Sequence, residues 1–109
     1  MTKLDLPLEA IFAADLRKAN VPFVQEYRAI PGRKYRWDFH IPDTDLLIEL
    51  NGGTWTKGGH STGGGIQRDY TKANLAIIYG WRQLTFTAQD VQDGTALDTV
   101  CRVLLGGER

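Results

Sequence analysis

Residues 37–50 read WDFHIPDTDLLIEL, two apolar-rich runs separated by Pro42-Asp43-Thr44-Asp45. Two such runs around a short turn form a β-hairpin. The turn and the hydrophobic pattern together set the pairing register. With Asp43-Thr44 as the connecting pair, Ile41 faces Leu46 and Asp38 faces Glu49. Side chains alternate along a strand, so Trp37, Phe39, Ile41, Leu46, Ile48 and Leu50 share one face, the expected core side. Arg36, Asp38, His40, Leu47, Glu49 and Asn51 share the other. This register stands two acids opposite each other, with Cβ atoms ~4.5–5.5 Å apart.

The flanking sequence extends the hairpin into an α/β sheet. A helix is expected from about Ile66 to Tyr79, stopped by Gly80. RQLTF, residues 82–86, follows as a strand, and a strand–helix–strand unit makes its strands parallel through a right-handed crossover. Upstream, LPLEAIFAADLRKAN reads as a helix with Asp5 as cap, Pro7 in the first turn and Leu8, Ile11, Phe12, Leu16 and Ala19 on one stripe. VQEYRAI is a strand closed by Pro31-Gly32, and strands are expected at about 35–41 and 46–50. Thr87 or Thr95 starts a last helical stretch. NGGTWTKGGHSTGGG, residues 51–65, is a loop, and a loop of that length in a small chain is usually functional or disordered. The expected order is α-β-β-β-α-β-α, with a mixed central sheet flanked by helices.

A chain of 109 residues is expected to form one domain spanning 1–109. Thirteen basic and thirteen acidic residues cancel, unlike the strongly basic footprint of a protein that coats nucleic acid. The charge is nevertheless uneven. Arg28, Arg33, Lys34 and Arg36 lie close together among Tyr27, Tyr35 and Trp37, as a phosphate-facing edge or as a solvated strand. One cysteine excludes an internal disulfide and, with two histidines, argues against a structural zinc site. No apolar run approaches the ~20 residues of a membrane span, and the N-terminus lacks a signal-peptide pattern. A cytoplasmic protein is the resulting expectation.

Opposed like charges destabilise a strand pair, so Asp38 and Glu49 require compensation. A divalent cation provides it, since Mg2+ is commonly held by one or two carboxylates and water. Pairing with Arg28 or Arg36 at a solvated sheet edge is the alternative.

Asp38 followed eleven residues later by Glu49-Leu50-Asn51 resembles the PD-(D/E)XK nuclease signature, whose acids lie on adjacent strands. Glu9, RWDF, IELNGG, the Trp55–His60 loop, RDYTKANLA and GWRQLTFT together resemble small phage and bacterial endonucleases related to the very-short-patch-repair endonuclease. The resemblance runs from about residue 8 to 91. It implies a restriction-endonuclease-like core and Mg2+-dependent hydrolysis of DNA, with Mn2+ as a substitute, in a bacterial or phage-infected cell. Asp38 and Glu49 would hold the metal, with the Leu50 carbonyl as a further ligand. Glu9 would orient metal-bound water.

The signature's lysine position holds Asn51, which can orient water but cannot serve as a cation or base at neutral pH. Very-short-patch-repair enzymes carry a histidine there, so the departure does not break the resemblance. Lys57, His60 and Lys72 are the candidates to replace that lysine. Arg33, Lys34, Arg36 and Lys72 are the candidate DNA-backbone contacts. Glu26 either faces Arg28 or Arg36 or lies near the metal, and His40 reads as structural. A homodimer or a larger phage or bacterial assembly stays open. Two rivals remain: an inactive nuclease-like fold that binds DNA or protein, and an α/β interaction domain without nucleic acid.

Overall fold

The computed structural model describes residues 7–52 and 63–106. The order is α1 (Leu8–Lys18), β1 (Val24–Tyr27), β2 (Trp37–His40), β3 (Leu46–Leu50), α2 (Gly63–Ile78), β4 (Arg82–Phe86), α3 (Ala88–Gln92) and α4 (Thr95–Leu104). The four strands form one sheet in the order β1-β2-β3-β4. β1, β2 and β3 pair antiparallel, and β4 joins β3 in parallel. The mixed α/β sheet expected from the sequence is present. No helix among the described residues is long and apolar enough to cross a membrane.

The hairpin has the expected register. Phe39 pairs with Ile48 and His40 with Leu47, and the Ile41 amide donates to the Leu46 carbonyl at 3.2 Å. The turn chemistry explains this. Asp43 takes a left-handed φ of 65°, which Asp tolerates better than most residues. The Thr44 hydroxyl donates to the Ile41 carbonyl at 2.7 Å and accepts from the Leu46 amide at 3.0 Å.

Element boundaries differ from expectation in four places. β1 stops at Tyr27 rather than near residue 30, because the chain turns inward and buries Ala29 and Ile30. β2 spans only 37–40. α2 begins at Gly63, inside the glycine run expected to be loop. The final helical stretch is two helices. Thr87 starts α3 with a reciprocal capping box to Asp90, and Gly94, at φ 87°, breaks the chain before α4. Pro7 is the N-cap residue of α1, while Asp5 lies outside the described residues.

Both sheet faces are covered. On one, Phe12 and Leu16 of α1 pack with Phe39, Ile41, Leu46, Ile48 and Phe86, closed by Val91, Ala96 and Val100 of α3 and α4. Phe12 meets Phe39 edge-on at a centroid distance of 5.4 Å, a favoured aromatic geometry. The second face buries Ala29, Ile30, Trp37, Leu47 and Ala76, with Leu75 and Trp81 against them. This corrects the two-face assignment. Trp37 belongs with Leu47 and α2, and its Nε1 donates to Gln83 Oε1 at 2.8 Å. The face expected to be polar is covered because the helix linking two parallel strands packs back onto their sheet. Leu47 was the residue in the sequence that signalled this.

Candidate metal centre at one end of the sheet

The end of β1, the start of β2, the end of β3 and the first turn of α1 converge. They bring Glu26, Asp38, Glu49 and Glu9 to one edge of the sheet. Gly52, next to the end of β3, lies against the Leu8 side chain of α1. β4 ends at the same edge, parallel to β3. Ligands of open α/β sheets bind outside the carboxyl ends of such strands.

Asp38 and Glu49 clasp each other's strand. The Leu50 amide donates to Asp38 Oδ2 at 2.7 Å, and the Asp38 amide donates to Glu49 Oε1 at 3.1 Å. Strand alternation breaks here, because Trp37 and His40, three residues apart, both lie on the Leu47 side. The two carboxylates are therefore not an uncompensated pair. Glu49 also has a cation, Lys72, whose Nζ donates to its Oε2 at 2.8 Å.

Among the described residues, Glu9, Glu26 and Asp38 form an acidic group in which one carboxylate oxygen from each lies within 4.8 Å of the others. Each reaches the site by a different route. Glu9 sits in the first turn of α1, held by a 2.9 Å bond from Gln25 Nε2 to its Oε2. Glu26 lies across from Asp38 because Gln25 pairs with Phe39 and Tyr27 with Trp37. Its left-handed φ of 52° is unusual for a glutamate and is the kind of local strain found at functional sites. Arg36 approaches Glu26 at 3.8 Å, an exposed and weak pair.

Burial is the main cause that raises the Asp38 carboxyl above its ordinary pKa. The Leu50 amide opposes the shift, and the charge of Glu26 adds to it. Burial also raises Glu9, followed by contact with the Glu26 carboxylate. Glu49 is raised by burial against the opposing pull of Lys72. Desolvated carboxylates that crowd one another favour a proton or a cation. The all-oxygen donor set of Glu9, Glu26 and Asp38 is compatible with a hard divalent metal.

The sequence candidates divide accordingly. Asp38 and Glu9 enter the triad, whereas Glu49 is engaged by Lys72 beside it. Glu26 is the residue whose place the sequence left open; knowing the β1–β2 register would have found it. The Leu50 amide is committed to Asp38. Asn51 is exposed, and its amide donates to the Phe86 carbonyl at 2.7 Å. Lys57 and His60 lie outside the described residues. Arg33, Lys34 and Arg36 are exposed on the β1–β2 connection, at the same edge as the acids. His40 is 7% exposed, stacks on Tyr27 at 4.3 Å and bonds the Leu46 carbonyl through Nδ1.

Lys72 is engaged on several sides. Besides Glu49, its Nζ donates to the Arg36 carbonyl at 2.6 Å and stands 4.8 Å from the centroid of the Trp37 ring. The Lys72 and Glu49 side chains are only 12% and 22% exposed. Lys72→Met should therefore cost about 1–3 kcal/mol in urea unfolding, the penalty for a desolvated acid left without its partner. Adding Glu49→Gln should restore part of the loss. A single-variant change below about 0.5 kcal/mol would place the pair among ordinary surface contacts.

No protein-family model matches the sequence, and no curated protein sequence matches it. Among solved structures, the chain is similar to the homing endonuclease I-Bth0305I catalytic domain. That alignment has a TM-score of 0.68 at 17% identity, covering 90% of this chain and 92% of that one. At such low identity the likeness is one of fold. The four-stranded mixed sheet and its flanking helices are the part of the fold that the two share.

Proposed function

We propose that this chain is a metal-dependent DNA endonuclease of the PD-(D/E)XK type, akin to the very-short-patch-repair group, acting as a single domain. The observation that carries the reading is the convergence of Glu9, Glu26 and Asp38 at one sheet end, beside the Glu49–Lys72 pair. The fold of a homing endonuclease catalytic domain supports it. Because fold alone does not establish function, the site residues must bear the argument.

Asp38, with Glu9 and Glu26, would hold Mg2+, or Mn2+ in its place, with Glu49 and the Leu50 carbonyl as further candidate ligands. A divalent ion supplies a bound water of lowered pKa and offsets charge on the phosphate. The Leu50 amide orients Asp38. Lys72 orients Glu49 and brings into the site the positive charge that Asn51 cannot supply. Asn51 can position a water, while His60 and Lys57 are the candidates for proton transfer. Arg33, Lys34 and Arg36 would neutralise backbone phosphates without reading bases. The cellular setting proposed is bacterial or phage-infected cytoplasm.

Supercoiled plasmid incubated with the protein and Mg2+ or Mn2+ should yield nicked or linear DNA, and a chelator should stop it. Asn51 favours a second reading, a nuclease-like fold that binds DNA or a protein without cutting. DNA bound but intact with both metals would establish that reading and remove the first.

A further inference from the structure

Beside the triad lies a pocket of about 350 Å³ lined by Pro7, Glu9, Ala10, Ala13, Arg17 and Gln25. Its volume falls within the ~300–1,000 Å³ of ordinary ligand sites. Two of its walls already belong to the acidic centre, because Gln25 is the residue that holds Glu9. The third polar wall is Arg17, which the chemistry described so far does not use. Its guanidinium lies over the Phe23 ring at 5.4 Å, a contact that holds it in place without neutralising it. Among the described residues Arg17 has no acidic partner, and it is exposed. A cation without an acidic partner among the described residues shares a pocket with Glu9 of the proposed metal site. The matching ligand is a phosphate.

We infer that this pocket seats the DNA strand flanking the scissile phosphate, with Arg17 bonded to a backbone phosphate. The inference rests on the endonuclease reading. Eight helical residues separate Glu9 from Arg17, about 12 Å along α1. Backbone phosphates recur along each DNA strand at intervals short compared with that distance, so Arg17 meets a phosphate within a few nucleotides of the scissile one. Small Ala10 and Ala13 side chains between them leave room for the strand. Arg17 is a positioning group. It adds affinity and register and leaves base sequence unread.

The test measures binding to a duplex of about two helical turns, roughly 20 base pairs, with Ca2+ replacing Mg2+ so that affinity is read apart from cleavage. Arg17→Ala should weaken binding several-fold at moderate salt. It should also flatten the plot of log affinity against log salt by about 0.9, the share of one neutralised phosphate. Arg17→Lys should restore the slope, since a phosphate accepts either cation. Arg82→Ala removes a charge paired with Asp45 at the opposite end of the sheet and should leave the slope unchanged. In Mg2+, Arg17→Ala should raise KM while kcat stays within about twofold, as expected for uniform binding energy. An unchanged slope in Arg17→Ala, or equal losses in Arg17→Ala and Arg82→Ala, overturns the pocket assignment while cleavage by wild type preserves the nuclease reading. Wild-type protein that neither binds nor cuts DNA overturns both.

Discussion

Asp38→Asn should lower metal-dependent DNA cleavage by at least about a hundredfold, the scale on which electrostatic groups at a reacting centre act, while leaving the protein folded. Asp38 is the residue common to both halves of the site. Its carboxylate belongs to the triad with Glu9 and Glu26 and accepts the Leu50 amide. Asparagine keeps the shape and an acceptor oxygen for that amide but removes the charge. Activity should fall and stability should not. Glu26→Gln should show a smaller loss, because Glu26 is exposed and shares its charge with Arg36. Rates on supercoiled plasmid, alongside thermal melts of the same preparations, decide the matter. Wild-type rates in a folded Asp38→Asn protein would remove Asp38 from the mechanism.

The second large effect concerns metal and stability together. Wild-type protein should melt higher as Mg2+ or Mn2+ rises at constant ionic strength. A ligand that binds only the folded state adds about 2.7 kcal/mol at a hundred times its Kd. Asp38→Asn should lose most of that gain. Without metal the order should reverse. The variant should equal or exceed wild type, by up to about 1 kcal/mol, the scale of a like-charge contact. The pH dependence follows from the direction of the carboxyl shift. Burial raises Asp38 in the folded state, so its favourable contribution is full below the ordinary carboxylate range and is lost as pH rises through the folded value. The metal-free advantage of Asp38→Asn should accordingly widen as pH rises from the usual carboxylate pKa near 4 to the raised folded value of Asp38, and level off above it. Thermal melts of both proteins across that range, with and without divalent ion, provide the measurement. A variant destabilised without metal, with both proteins responding equally to Mg2+, would rule out Asp38 as a ligand.

Much of this architecture is written in local pattern. Strand alternation around Pro42–Asp45 determined the hairpin register, and the structure pairs Phe39 with Ile48 accordingly. Gly80 and the RQLTF run, with Leu84 and Phe86 alternating with polar residues, marked the end of α2 and the following parallel strand. These features depend on residues close in sequence, where turn chemistry and periodicity act directly. Tertiary packing decided the rest. Trp37 leaves the alternation at Asp38 to fill the space beneath α2, which no period-two pattern foretells. Lys72 reaches Glu49, distant in sequence, because docking α2 on the sheet brings its ammonium against a desolvated acid. Glu26 joins Asp38 only through the β1–β2 register, set across a nine-residue connection whose turn at Ile30–Arg33 lies away from both strand ends and does not specify it. Asp38 and Glu49 were visible because they interrupt apolar runs. Their partners were not, because the convergence of Glu9, Glu26 and Lys72 is a property of packed elements distant in sequence.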